Sequence, residues 1–290
     1  MGEGLAVENI RSIRTRIKSI ESTRQITRSL KMISASKLRR TQTAATALRE
    51  FADQSRKMLD AVLAAPGRVD NPFLCPRKES SGRVLYVVFV GNRGLCGSYH
   101  SALVKYLREL IRADGREPDV VVCGRWGREL FAASRWTVLQ TFDCPDTPVS
   151  GDARELTEFI KERYAQGLED SVVLVYQQFR SVLSQTPGHR VLFPLETGGS
   201  GSGDPVIFEP DRGSLLDALA ELTVSNTVFA AMLEAKAGEH AARMAAMTAA
   251  SDNTDELIQR LSLELNHARQ SAITTEIAEI AGGAAALEKT

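Results

Sequence analysis

EHAARMAAMTAASDNTDELIQRLSLELNHARQSAITTEIAEIAGGAAAL (239–287) contains no proline, and neither does any of the 80 residues that follow Pro210. Proline removes a helical donor and clashes with the preceding turn, so this stretch is free to form one very long helix. Ile258, Leu261, Leu265, Ala268 and Ala272 recur in steps of three and four, and Ile273, Ile277, Ile280, Ala284 and Leu287 form a similar ladder just after. That is a coiled-coil ladder. A helix of this length cannot bury its own stripe, so it needs a partner.

The partner is legible at the other terminus. All ten prolines lie between Pro66 and Pro210. They divide the chain into a proline-free N-terminal arm (1–65), a middle region (66–207) and the C-terminal arm (208–290). In the first arm Ile10, Ile13, Ile17 and Ile20 step by three and four. Ile26, Leu30 and Ile33 continue with a phase shift of the kind that stutters produce, and Leu48, Phe51, Met58 and Val62 carry the stripe onward. This predicts a helix from about residue 5 to residue 64, closed by Pro66 and Gly67. At 1.5 Å per residue the two helices run to roughly 90 and 110 Å, too long for a small core, so an antiparallel pairing is expected. Charge agrees with it. Residues 10–49 hold eleven Lys/Arg and one acid, while 252–288 hold seven acids and two bases. Opposite signs help to fix partner and orientation, although two independently solvated faces would show the same bias.

The middle region alternates. RVLYVVFV (83–90), DVVVCG (119–124), WTVLQTF (136–142) and SVVLVYQQF (171–179) read as strands, and RVLFPL (190–195) reads as an edge strand. SALVKYLRELIRA (101–113), GRELFAAS and ARELTEFIKERYAQG (153–167) read as helices. Alternation with continuous apolar strands implies a mostly parallel, Rossmann-like α/β sheet covered on both faces. GGSGSGD (198–204) is a flexible closing loop. Ser214 with Asp217 is a possible capping pair for the C-terminal helix, and Asp211 suits its N-terminus.

Chemistry-bearing patterns are sparse. Gly91, Gly94 and Gly97 follow a strand and precede a helix, where a dinucleotide fingerprint would sit. Their spacing is GxxGxxG rather than GxGxxG, no acid ends the next strand and no GxxxxGK[ST] is present, so they read as a structural turn. The four cysteines (Cys75, Cys96, Cys123, Cys144) have no CxxC or zinc spacing and read as buried thiols. The four histidines are scattered, and neither HExxH nor GxSxG occurs. The basic section of Arg28, Lys31, Lys37, Arg39 and Arg40 lacks interleaved aromatics, so a protein contact or solvated face is expected rather than nucleic acid. No run of about 18 apolar residues predicts a membrane span. The stretch from Ile280 to Leu287 is uncharged and rich in Ala and Gly. It is either disordered or held in an apolar collar supplied by other subunits.

IKSIESTRQITRSLKMISASKLRR (17–40), GNRGLCG (91–97), FEPD (208–211) and the 239–287 block together resemble the gamma subunit of F-type ATP synthase, of the bacterial type, across in effect the whole chain. The resemblance implies a central rotor stalk. The terminal helices form an asymmetric coiled coil inside a ring of three alpha and three beta subunits, and the middle domain is a foot against the epsilon subunit and the membrane c-ring. Ion-driven c-ring rotation would drive the beta sites through their conformational cycle. The chain itself would catalyse nothing and hold no cofactor or metal. It would lie at the cytoplasmic face of the inner membrane, touching the membrane only through the c-ring. By motif, Leu30, Lys31 and Met32 match the segment that touches the acidic lever of beta, followed by the basic face of Lys37, Arg39 and Arg40. Arg243, in the facing C-terminal stretch, is expected at the same surface contact between rotor and stator. Arg269 and Gln270 match a pair that engages a loop of beta, with Thr274 and Glu276 on the next turn. Gly282 to Leu287 match the tip, and Phe208 and Glu209 match the foot. The chain departs from the family pattern at Asn92, where aspartate is usual, and at Ser98-Tyr99-His100. The regulatory cysteine insert of chloroplast forms is missing. The arginine-rich start aligns with the helix itself, which argues against a transit peptide.

Overall fold

The structure is a computed structural model that describes residues 2–65, 69, 71–74, 80–131, 136–181, 184–195, 208–209 and 211–287. Of these, 2–9, 128–130, 283 and 285–287 are described by backbone alone. The expected turn at Pro66 and Gly67, Cys75, the loop 198–204 and Pro210 lie outside the described residues. Two helices dominate, α1 (Gly2–Ala64) and α5 (Arg212–Leu287). Between them run β1 (Arg83–Phe89), α2 (Tyr99–Asp114), β2 (Glu117–Cys123), α3 (Trp126–Phe131), β3 (Thr137–Phe142), a 3-10 turn Ser150–Ala153, α4 (Arg154–Gln166), β4 (Ser171–Ser181) and β5 (Ser184–Phe193).

The strand order is β3-β2-β1-β4-β5. The first four strands are parallel and β5 returns antiparallel on the β4 edge. Strand pleating sorts the apolar run of β1 onto two faces. Val84, Tyr86 and Val88 join Leu103 and Leu107 of α2 and Phe131 of α3. Leu85, Val87 and Phe89 join Ile160 and Tyr164 of α4, Leu59 and Val62 of α1, and Leu216 to Ala235 of α5. Both faces are thus covered, which is why the strands read as near-continuous apolar runs. At the amino ends of the strands, buried Asp119 and Glu169 are not left unpaired: Asp119 accepts from Arg83 at 2.6 and 2.9 Å, and Glu169 is held by Arg163.

Contacts divide the chain into two units, residues 34–245 and the pairing of 1–33 with 246–290. In the second, α1 and α5 pack antiparallel. Ile13 and Leu261 are buried, and Arg24 and Arg28 reach Asp255 at 3.0 and 2.9 Å. Burial along the α5 ladder stops at Ala272; Ile273, Ile277 and Ile280 are exposed, the last 73% so.

Two local expectations are corrected. The seam of α1 has no phase shift. Steps of three and four continue from Ile13, Ile17 and Ile20 through Thr27, Ser34, Leu38, Thr41, Ser55 and Leu59, all buried or half-buried, whereas Ile26, Ile33, Phe51 and Met58 are exposed. The hydroxyls tolerate burial because helix carbonyls accept from them: Thr27 donates to Arg24 at 3.0 Å, Thr41 to Lys37 at 2.6 Å and Ser55 to Phe51 at 2.9 Å. The α5 cap is Asp211, whose carboxylate accepts from the Ser214 N–H at 2.9 Å and its hydroxyl at 2.7 Å. Asp217 instead accepts from Asn71 at 2.7 Å. Helix α5 also contains an 18-residue window with mean hydropathy 1.3, apolar enough by composition to cross a membrane, but half of that window is buried inside the protein.

Candidate functional site

A doubly wound sheet takes ligands at the carboxyl ends of its strands, at the point where the winding reverses. Here that point lies between β1 and β4. The Gly91–Gly97 turn leaves β1 there and leads into α2. The crevice is already filled, and by the chain's own α5. A Cβ on Gly91 would lie 2.7 Å from the Glu239 carboxylate and 2.8 Å from His100, so only glycine admits the helix this close. Gly94 faces the Trp126 ring, and Gly97 takes a positive φ of 60° at the entry to α2. Leu95 is also left-handed, at φ 61°, and exposed.

Four polar residues of α5 project into this crevice: Lys236, Glu239, His240 and Arg243, all buried. Glu239, 1% exposed, accepts from Lys236 at 2.8 Å through one carboxylate oxygen and from Arg243 at 2.7 Å through the other. The Arg243 fork also donates to the carbonyls of Arg93 at 2.9 Å and Gly94 at 3.2 Å. His240 donates Nε2–H to the Asp146 carbonyl at 2.7 Å, and the Asp146 carboxylate holds Lys37 of α1. Tyr99 at the start of α2 donates to the Ala235 carbonyl at 2.9 Å. Asn92, where the family pattern has aspartate, donates to the Cys144 carbonyl at 2.6 Å and accepts from the Arg125 N–H at 3.0 Å, so the turn survives the departure.

Burial opposes ionisation of Glu239, but Lys236 and Arg243 outweigh it and hold the carboxyl below its usual range. For Lys236 burial is likewise overcome, by the hydrogen-bonded Glu239 carboxylate, and the ammonium is held above its ordinary value. Burial lowers the pKa of His240 against the opposing pull of the Asp146 carbonyl, and that of His100 against the Arg93 carbonyl. Cys96, Cys123 and Cys144 are free and buried, and burial pushes the Cys144 thiol up to about 12. Among the described residues no cluster of His, Cys, Asp and Glu could hold a metal ion. The arrangement positions a helix.

The residues singled out in the sequence fall into separate groups. Lys31 and Met32 are exposed, Met32 by 73%, with Leu30 half-buried beneath them. Arg39 and Arg40 are exposed, while Lys37 is engaged with Asp146. Arg269, Gln270, Thr274 and Glu276 are exposed along α5, and the Thr274 hydroxyl donates to the Gln270 carbonyl at 2.9 Å. Phe208 packs against the main core and Glu209 is exposed. Arg243 differs from expectation. It is 7% exposed and engaged with the glycine turn and Glu239. Lys236, Glu239, His240 and Asp146 were not singled out in the sequence at all. The available signal was their spacing: Lys236, Glu239, His240 and Arg243 stand at i, i+3, i+4 and i+7 on one face of an alanine-rich helix.

A family model described as ATP synthase matches residues 9–287. The chain is 38% identical over 284 residues to the ATP synthase gamma chain of Pelotomaculum thermopropionicum, covering 97% of this chain and 99% of that one. It is 40% identical over 282 residues to the ATP synthase gamma chain of Desulforamulus reducens, covering 96% and 99%. Among solved structures it resembles a chain of the Euglena gracilis mitochondrial ATP synthase described as OSCP/F1/c-ring, with TM-score 0.68 and 21% identity over 97% of this chain and 95% of that one. It also resembles a chain of the rotor of the same enzyme, with TM-score 0.64 and 18% identity over 92% and 99%. At these identities the likeness shows the fold.

Proposed function

The chain belongs to the ATP synthase gamma chain family, and we propose that it works as the central rotor stalk, coupling ion-driven rotation of a c-ring to the conformational cycle of the catalytic beta subunits. It does no chemistry of its own. Residues 1–65 and 208–290 form the axle and residues 66–207 the foot. Its partners are three alpha and three beta subunits around the axle, and the epsilon subunit and c-ring at the foot. It sits peripherally at the cytoplasmic face of a bacterial inner membrane.

The observation that carries this reading is the bare end of α5. A second ladder of Ile273, Ile277 and Ile280 follows Ala272, and the chain leaves it uncovered. Exposed apolar residues repeated on one helical face mark a surface that other chains cover. In this reading Arg269, Gln270, Thr274 and Glu276 touch beta beside that face. Leu30, Lys31 and Met32, followed by Arg39 and Arg40, do so from α1, and Gly282 to Leu287 turn in an apolar sleeve. Phe208 and Glu209 belong to the foot. An asymmetric axle acts by contacting the states of each beta site unequally, since only differential contact shifts a conformational equilibrium.

The test is assembly followed by turnover. The chain should co-purify with alpha, beta and epsilon subunits. In that complex Arg269→Ala or Gln270→Ala should slow coupled ATP turnover about tenfold, the effect of ~1.4 kcal/mol on the barrier, with the circular dichroism of the purified chain unchanged. Unchanged turnover would remove the role assigned to this pair.

A further inference from the structure

We propose that the buried Lys236–Glu239–Arg243 cluster, with His240 and Asp146, is the joint that fixes the rotational angle of α5 on the sheet domain, so that torque passes between them without slip. This rests on the rotor reading above.

Apolar packing is non-directional, and packed helices can ratchet past one another by a turn. The face of α5 against the sheet is largely of this kind, with Ala220, Val224, Val228, Ala231 and Met232 on the core. A helix that carries torque needs contacts that define angle and register. Between Ala235 and Arg243, about 12 Å of helix, the chain supplies them from several directions. The Tyr99 hydroxyl engages the Ala235 carbonyl, the Asp146 carbonyl takes His240, and the carbonyls of Arg93 and Gly94 take the Arg243 fork. Glu239 joins Lys236 to Arg243 and lies so close to Gly91 that a Cβ there would stand 2.7 Å from its carboxylate carbon. The Gln177 amide of β4 donates to the Tyr99 carbonyl at 3.3 Å, which ties this anchor to the sheet. Asp146 also holds Lys37, so α1 is fastened to the same loop.

A buried ion cluster is a poor device for stability alone, because well-packed apolar residues of similar volume do as well or better. What the ions add is direction. Lys236, Glu239 and Arg243 are therefore positioning residues. They touch no substrate and act through the helix they hold.

The experiment uses the assembled, membrane-reconstituted complex and measures ions pumped per ATP hydrolysed. One variant replaces the triad by apolar residues (Lys236→Met, Glu239→Leu, Arg243→Met), which keeps packing while removing direction. The second, Arg243→Lys, keeps the charge but loses the two-carbonyl fork. Both should assemble and hydrolyse ATP within about twofold of wild type, and the pumping ratio should fall at least threefold in the triple variant and less in Arg243→Lys. A purely structural role would lower yield and thermal midpoint but leave that ratio unmoved. A wild-type ratio in the assembled triple variant overturns the proposal. Should the triple variant fail to assemble, a wild-type ratio in Arg243→Lys overturns it equally. A wild-type chain that does not assemble with alpha and beta subunits defeats the rotor reading itself, a different outcome from an assembled variant that pumps normally.

Discussion

Residues 231–241 and 273–287 belong to one helix and are both rich in alanine and aliphatic side chains, yet they live in opposite surroundings. The first stretch is buried at every position except Glu234, which is half-buried; the second is exposed wherever its side chains are described. The buried stretch carries Lys236, Glu239 and His240, while the bare one carries Ile273, Ile277 and Ile280. Apolar content therefore does not locate the core of this protein. In the enclosed stretch alanines allow the helix and sheet to approach closely, and the few charges define how the helix sits. In the bare stretch the isoleucines form a surface.

The contrast breaks most visibly at a core methionine. Met232 is fully buried among Val228, Ala235 and the sheet. Met232→Ala should lower the unfolding free energy of the purified chain by about 2–5 kcal/mol in a urea titration. A change below ~0.5 kcal/mol, the range of ordinary surface substitutions, would mean that this stretch is not the core.

An intermediate effect is expected from acid. His240 has a folded-state pKa held below its unfolded value, which is ~6.5, chiefly by burial. The folded state therefore resists protonation. The stabilisation is present in full above the unfolded value and is lost as pH falls from there toward the folded value, at a limiting slope of about 1.4 kcal/mol per pH unit for one proton. His100 is shifted in the same direction. Stability measured between pH 7 and 5 should thus fall with pH, and His240→Gln should flatten the curve without abolishing it. An unchanged curve would remove His240 from the explanation.

The smallest effect belongs to the bare stretch. Ile277→Ala should change the stability of the isolated chain by no more than about 0.5 kcal/mol, read by the same titration. A loss comparable to that of Met232→Ala would show that this face is already covered within the chain.

The lengths of α1 and α5 were readable because proline is absent and apolar residues recur in steps of three and four. Strands β1, β2 and β4 were readable because burial on both faces demands uninterrupted apolar runs. The path of the α1 seam was not. Ile26 and Ile33 stand one residue before Thr27 and Ser34, so apolarity suggested a shift where hydroxyls bonded to the helix backbone continue the seam. Nor was the filled crevice readable. Glu239 against Gly91, and Arg243 on the Arg93 and Gly94 carbonyls, join residues about 150 positions apart through the tertiary fold. Local pattern carries no record of such contacts. For the same reason Arg243 looked like a surface residue.

The pairing of α1 with the far end of α5 has a consequence for synthesis. Arg24 and Asp255 are separated by 231 residues, and Val62 and Arg212, whose side chain donates to the Val62 carbonyl, by 150. At translation rates of about 5–20 residues per second, α1 emerges roughly 10–50 seconds before its partner exists. Helices within proteins gain most of their stability from tertiary packing, so during that interval Ile13 and Leu38 lack the cover that α5 supplies. Helix α1 is thus made well before the segment that secures it.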